Sequence, residues 1–386
     1  MEWPWSILVP FLAAAWFGHA FLMTVLLNWW YAQPVRRVYL KIGRALIALL
    51  VFGFPFAIGF LAGNRIEGWF GGYLWFCVAI TAIYLPLISW SRWRRPQPTA
   101  VVGNASRIVD ATEALGDKPV GNGSHWRLAC LPGNQVFQVE LRDLNVRLPR
   151  WPVALDGLSV LHLSDVHLSG TPGRPFYQCV FDEIMRSGPP DILAVTGDIV
   201  DSPHHHRWIV PLLGRLRWRV AAFAILGNHD KYYEPELVRR RLRRLGIRVI
   251  GNGCEQIDVR GVPLLVVGNE APWFRPPPDL SAAPRDVFRM CLSHTPDQFG
   301  WAQQNGIDLM LAGHVHGGQI RLPLIGPLFV PSRFSRRYDS GQFASGPTLM
   351  IVSRGLAGRE PLRYNCRPEI SRIILNAGRP ASQGCD

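Results

Sequence analysis

Leu158-Ser159-Val160-Leu161-His162-Leu163-Ser164-Asp165-Val166-His167 is a mostly apolar run that ends on a carboxylate and an imidazole two positions apart. Six such residues read as a strand, and the polar pair falls just beyond its carboxyl end. The same order recurs downstream. Ile192–Thr196 runs into Gly197-Asp198, and Ala221–Leu226 into Gly227-Asn228-His229-Asp230. Phe288–Leu292 runs into Ser293-His294, and Ile307–Ala312 into Gly313-His314-Val315-His316. Helix-like stretches, Phe176–Ser187 and Pro235–Leu245, lie between the runs, and Thr348–Ser353 and Ile370–Leu375 read as two further strands. Strand, polar tip, helix, strand is the pattern of a layered α/β fold, in which residues remote in sequence converge at the carboxyl ends of the strands.

The five tips supply Asp, Asn and His and hold five of the chain's eleven histidines. These oxygen and imidazole donors suit Mn, Fe or Zn rather than Ca or a thiolate cluster. The seven cysteines are odd in number and include no C-x-x-C pair, so neither a zinc knuckle nor a disulfide framework is expected.

The series D-x-H, G-D, G-N-H-D, H and G-H-x-H resembles that of the calcineurin-like metallophosphoesterases, over about residues 136–376. The resemblance implies a four-layer α/β/β/α fold and two divalent metal ions, with Mn first and Fe or Zn as alternatives. It implies a first ion held by Asp165, His167, Asp198 and His316, and a second by Asp198, Asn228, His294 and His314, with Asp198 bridging. A carboxylate suits the bridge because it spans two cations while offsetting part of their repulsion. The implied reaction is in-line attack of a metal-activated hydroxide on a phosphodiester or pyrophosphate, with His229 facing the leaving group as acid or stabilising cation. Asp201 either orients His229, as in relatives with G-D-x-x-D, or caps the next helix. Asp230 reads as a supporting group rather than a ligand. Ser202-Pro203 stands where the protein-phosphatase branch has Arg-Gly, which argues against phosphoprotein substrates and leaves Arg354 or Arg359 to supply positive charge.

The first 95 residues differ in kind. They hold eight Lys/Arg and two acids, so +6 of the formal +13, and no Asp. Trp5–Trp30, Ala45–Ala62 and Trp69–Trp90 carry no charge and approach the ~20 residues that cross a bilayer. Trp3, Trp5, Trp29, Trp30, Tyr31, Trp69, Trp90 and Trp93 bracket them as an interfacial belt. Met1-Glu2 is not a basic leader, so these are spans rather than a signal peptide. The expected domains are a transmembrane anchor at 1–95, a linker at 96–135 with a short helix near Arg107–Leu115, and the catalytic domain at 136–386. Arg36, Arg37, Lys41 and Arg44 follow the first span, and Arg92, Arg94 and Arg95 follow the third. Positive flanks two crossings apart belong on one cytoplasmic side, which places the catalytic domain at the cytoplasmic face of the inner membrane.

The resembling subgroup, marked by Gly313–Ile320, Tyr338–Gly341, Val352–Leu356 and Arg367–Ile370, includes membrane-tethered enzymes, some acting on UDP-2,3-diacylglucosamine. An amphiphilic or lipid-linked phosphorylated partner is therefore expected. The alternatives are a phosphodiesterase of broad specificity for soluble substrates and a non-catalytic metal-binding scaffold. His204-His205-His206 reads as a solvated loop, and Arg239–Arg244 as a solvated helix face rather than a membrane-apposed patch. No aromatic-basic platform for nucleic acid stands out, and the spans hold too few polar groups for an ion path.

Overall fold

The computed structural model describes residues 4–62 and 68–378. Trp3 and the Arg65–Glu67 connection lie outside them. The chain divides into two compact units. One takes the residues up to Pro96 together with Arg321–Arg336; the other takes Gln97–Ile320 and the residues from Arg337 on.

In the first unit, α1 (Trp5–Tyr31) and α2 (Arg37–Ala62) are continuous, and α3 (Gly68–Ala79) joins α4 (Leu85–Trp93) through a π-turn at Ile80–Tyr84. Three helical stretches, Trp5–Tyr31, Arg37–Ile58 and Gly68–Trp93, are thus long and apolar enough to cross a membrane. Their outward faces are apolar, with Leu49, Phe52, Phe56 and Trp69 all exposed. Such surface is at home in lipid and costly in water. Inside the bundle, Ala15, Leu74 and Cys77 are fully buried. A Cβ at Gly18 would stand 2.0 Å from the Cys77 carbonyl oxygen, so glycine is what lets α1 and α3 touch. The few polar side chains are satisfied internally: the His19 ring meets Tyr73 Oη at 2.7 Å and the Leu50 carbonyl at 3.2 Å.

The strands, in chain order, are β1 (Val101–Asp110), β2 (Gln138–Leu148), β3 (Leu158–Leu163), β4 (Ile192–Thr196), β5 (Ala221–Ile225), β6 (Arg248–Val249), β7 (Cys254–Val259), β8 (Val262–Asn269), β9 (Phe288–Ser293) and β10 (Leu309–Ala312). There follow a small hairpin, β11 (Arg321–Leu322) with β12 (Gly326–Pro327), and then β13 (Gly341–Ser345), β14 (Thr348–Val352) and β15 (Glu369–Ala377). A seven-stranded sheet runs β1-β2-β15-β3-β4-β5-β6, and a six-stranded sheet runs β13-β14-β10-β9-β8-β7.

The period-two alternation explains the layers. In β3, Leu158 and Val160 face one core while Leu161 and Leu163 face another; Ile192/Ala194 against Leu193/Val195 in β4, and Phe223/Ile225 against Ala222/Ala224 in β5, do the same. The first set meets Met290, Leu292, Leu311 and Ile351 of the six-stranded sheet. The second set is covered by Phe176, Val180, Ile209, Val238 and Leu242 from helices Arg174–Arg186, His206–Leu213 and Pro235–Arg243. A short helix, Phe299–Gln304, packs on β14 as the thin outer layer of the second sheet. This is the α/β/β/α sandwich expected from sequence.

Residues 96–135, expected as a linker with a short helix, also contribute a strand: β1 pairs antiparallel with β2 from Val101↔Val146 to Asp110↔Gln138. Its burial is weak, since from Gly103 to Arg107 it stays largely exposed. An edge strand with little to bury leaves little hydrophobic signature. The short helix begins later than expected, at Ala111, where the Asp110 side chain caps Thr112 and Glu113.

Candidate functional site

The strands β3, β4 and β5 are parallel neighbours in one sheet, as are β8, β9 and β10 in the other. Their carboxyl ends carry all nine side chains singled out from the sequence: Asp165 and His167 after β3, Asp198 and Asp201 after β4, Asn228 and His229 after β5, His294 after β9, His314 and His316 after β10. The loops approach closely because of their glycines. A Cβ at Gly227 would lie 2.2 Å from Asp198 Oδ1, and one at Gly313 would lie 1.9 Å from Ser164 Oγ.

The donors form three adjoining groups, Asp165/His167/His316, Asp198/His294/His314 and, sharing His167, His167/Asp201/His229. In the first, His316 Nε2 is 3.5 Å from Asp165 Oδ1 and 3.2 Å from His167 Nε2. In the second, His294 Nε2 is 3.0 Å from Asn228 Oδ1. Asp198 Oδ2 lies between these two groups, 3.6 Å from His167 Nε2 and 3.4 Å from His294 Nε2, while Oδ1 accepts the His229 backbone N–H at 2.8 Å.

Partners on the far ring nitrogens fix how three imidazoles point. His167 Nδ1 donates to Asp201 Oδ2 (2.8 Å), His294 Nδ1 to the Thr196 carbonyl (2.7 Å), and His316 Nδ1 to the Ala357 carbonyl (3.1 Å). Each ring then offers Nε2 to the cluster, the arrangement that orients metal-binding histidines. Two buried atoms, Asp198 Oδ2 and His314 Nε2, have no hydrogen-bond partner among the described residues. An orphan of this kind costs about 1–3 kcal/mol. A cation seated among these donors removes that cost, so the residues present fit a pair of metal ions.

The electrostatics agree. Burial alone would raise Asp165, but the His316, His167 and His294 imidazoles hold it well below the usual carboxylate range. Asp198 is likewise lowered, against burial, by His294 and His229. His314 is pushed down to about 3 by burial and by neighbouring His294, and His316 to about 3 by burial, so both are neutral ligand-type imidazoles. Burial works against protonation of His294 too, yet Asp198 raises it to about 9. Protons occupy part of the space that cations would take.

Asp201 lies between two imidazoles. Its two oxygens accept the Nδ1–H of His167 and of His229. The capping role falls to Ser202, whose side chain accepts from His204 N. Asp230 accepts three backbone N–H groups, from Gly227, Ile199 and Val200, at 2.9–3.0 Å, and so ties the β4 and β5 loops together. Burial, then the charge on Asp198, push it up to about 7.

Arg354 is not a free phosphate clamp. Its guanidinium donates to Glu369 (2.6 Å) and Glu140 (2.7 Å), which neutralise it. Arg359 is partly exposed, with Glu360 4.0 Å away. In the histidine triplet, His206 is buried with Nε2 on the Tyr233 carbonyl, and His205 packs on Trp208. In the basic run, Arg239 turns inward to Glu270 (2.6 Å).

Three contributors were not read from sequence. Trp273 packs its ring on His294 and His314, with centroids 5.3 and 4.7 Å away. Arg363, fully buried, donates to the carbonyls of His316, Arg354 and Ala357. Glu270 accepts the Leu226 N–H at 2.7 Å. Only the Arg-Tyr and Pro-Trp pairs mark the first two in sequence, and neither pair belongs to a metal-ligand motif.

The model of the calcineurin-like phosphoesterases matches residues 158–318, which span the strands and tips just described. The chain is 31% identical to the uncharacterized metallophosphoesterase YkuE of Bacillus subtilis, covering 62% of this chain and 86% of that one. It is 34% identical to phosphodiesterase YaeI of Escherichia coli, covering 56% and 81%. A transmembrane protein with metallophosphoesterase domain from Bos taurus is 28% identical over 61% of this chain and 56% of its own length. The clusters of His and Asp at the strand ends, within a chain 31% identical to a metallophosphoesterase over 86% of that relative, make the chain a metal-dependent phosphoesterase and a member of the calcineurin-like metallophosphoesterase family.

Proposed function

We propose that the protein hydrolyses a phosphodiester or pyrophosphate in an amphiphilic, lipid-linked substrate, of which UDP-2,3-diacylglucosamine is the named candidate. The observation that carries the lipid-linked reading is the presence, in one chain, of this site and of three helices fit to cross a bilayer. Asp165, His167, Asp198 and His316 would hold one ion, and Asp198, Asn228, His294 and His314 the other, with Mn the ion proposed. When bound, such a pair activates water at neutral pH and draws charge from the phosphoryl oxygens.

The chain's own residues do the rest. Asp198 Oδ2 faces both groups, so one carboxylate sets their spacing. The five neutral ligands, four His and one Asn, leave net positive charge for a phosphate ester. His229 is the most open imidazole of the cluster, its side chain 18% exposed, with Nδ1 held by Asp201. That leaves Nε2 to donate a proton to the departing oxygen. Positive flanks after the first and third helices favour a cytoplasmic catalytic domain at the inner membrane.

A soluble phosphodiester is the second reading, consistent with the E. coli relative being a phosphodiesterase. Purified protein in lipid nanodiscs, assayed for UMP release from the nucleotide lipid and for turnover of soluble diesters, separates the two. Turnover of the soluble diesters alone overturns the lipid-linked proposal.

A further inference from the structure

Asn28 is an amide near the end of a spanning helix, yet it is fully buried. In an apolar bundle its two polar ends need partners, or each costs several kcal/mol. The partners come from 300 residues downstream. Nδ2 donates to the Leu328 carbonyl (3.2 Å) and Ser335 Oγ (2.9 Å), and Oδ1 accepts the Val330 N–H (2.9 Å). Arg92, at the end of α4, donates to the Arg336 carbonyl at 2.6 Å. Tyr31 meets Phe329 edge-on at 5.2 Å, and the Arg336 guanidinium lies 5.0 Å over Phe21. The segment Arg321–Arg336 therefore belongs structurally to the anchor, although the sequence places it just after His316.

Its hairpin is built unlike a soluble loop. The tip residue Leu324 is 94% exposed, and Leu322, Ile325, Leu328 and Phe329 are each exposed as well. A run of exposed apolar side chains without a protein cover asks for an apolar surface. The ends that grip the loop, Asn28 of α1 and Arg92 of α4, are two crossings apart and so lie on one membrane face. Trp29, Trp30, Trp90 and Trp93 mark the headgroup level there. Exposed Arg333 and Arg337 follow the apolar residues, as suits anionic headgroups, while buried Arg336 donates to the Ile325 and Pro327 carbonyls and braces the hairpin from within.

We propose that the hairpin around Leu324 is a bilayer-seated foot, its tip buried at the boundary of headgroups and acyl chains and its base clamped by Asn28. The anchor is then more than three helices: it includes a bilayer contact drawn from 300 residues downstream.

The test uses full-length protein with Cys130, Cys179, Cys254 and Cys385 replaced by serine. A spin label goes on Leu324→Cys or, separately, Ile325→Cys, and a control label on the exposed Val153→Cys. In nanodiscs of phosphatidylethanolamine and phosphatidylglycerol, both hairpin labels should be several-fold more accessible to oxygen and several-fold less accessible to a nickel chelate than the control. Adding Asn28→Leu should raise chelate access at the tip. Hairpin labels that match the control overturn the proposal. So does shielding that persists undiminished in lipid-free amphipol and grows with protein concentration, which would assign the patch to a second copy. No substrate is involved, so failure here is distinct from failure of the lipid-linked substrate.

Discussion

Replacing Asp201 by asparagine separates positioning from ligation. Both Asp201 oxygens are engaged, by the Nδ1–H of His167 and of His229. Burial would raise this carboxyl, but those same imidazoles hold it well below the usual range, so it is an ionised acceptor at working pH. Asparagine has one carbonyl oxygen for two donors, and its amide must turn toward the other ring. The His167 side chain is fully buried and has no water to fall back on, whereas that of His229 is 18% exposed. The carbonyl should therefore stay with His167, and His229 should lose its partner.

A lost hydrogen bond to a charged group is worth about 2 kcal/mol, or roughly 30-fold. Loss of a positioned general acid ranges over roughly 10²–10⁴-fold. The prediction is full metal content, a fall in kcat of about 100-fold on an alkyl diester, and a fall of less than about tenfold on a p-nitrophenyl diester. The nitrophenolate leaves without help, so it bypasses the acid. Steady-state kinetics on both esters, with metal content measured on the same preparation, decide the matter. An equal loss on both esters at unchanged metal content refutes the assignment of His229 as acid.

Asp198→Ala removes the one carboxylate, among the described residues, that faces both groups; elemental analysis should find both ions lost and turnover below roughly a thousandth, and retained activity would reject the bridge. His294 sits at about 9 because Asp198 outweighs burial. Its raised value means that below pH 9 a cation must displace a proton, so apparent metal affinity should fall about tenfold per pH unit from 9 to 7. Calorimetry in two buffers of different ionisation enthalpy should show proton release at pH 7, and none would contradict the pairing. Asp230→Ala strands three buried N–H groups and should cost about 3 kcal/mol, lowering the melting temperature by roughly 6–12 °C; an unchanged melt would show that water replaces the carboxylate. His316 has φ 51°, so His316→Gly should be more stable than His316→Ala by about 1 kcal/mol in metal-free protein. Chemical denaturation measures the difference, and equal stabilities would mean that the backbone relaxes.

The legible parts of this chain were those with a period or a fixed spacing. The runs of β3, β4 and β5 are uniformly buried, so their apolar stretch ends where the sheet ends and each ligand follows at once. The illegible parts lack such a signal. β1 is an edge strand with five of its central residues largely exposed. β15 reads as a strand, yet nothing local says that it inserts between β2 and β3, antiparallel to the latter. The packing of Arg321–Arg336 with the N-terminal helices is a tertiary fact, visible in sequence only as the isolated Asn28. Arg354 misled because charge is read from sequence and its neutralisation by Glu140 and Glu369 is not.

The backbone explains why the ligand signature is so compact. Asp165, His167, Asp198, His314 and His316 all adopt positive φ, between 45° and 71°, five of the eleven described non-glycine residues that do so. For an L-residue this conformation costs roughly 1–2 kcal/mol each, so the site stores several kcal/mol of local strain. It persists because the turns lock one another: Asp165 N bonds the Gly197 carbonyl (3.0 Å), His167 N the Asp198 carbonyl (2.9 Å), and Ala357 N the Asp165 carbonyl (2.9 Å). Sheets that are buried on both faces cannot yield to release it. Left-handed turns hold Asp165 and His167 in one donor group and send His314 and His316, a single residue apart, into the two adjoining groups. A relaxed strand would send alternate side chains to one face and then continue away from the centre. The strain and the convergence are thus one feature, and the flanking glycines at 197, 227 and 313 are its steric condition.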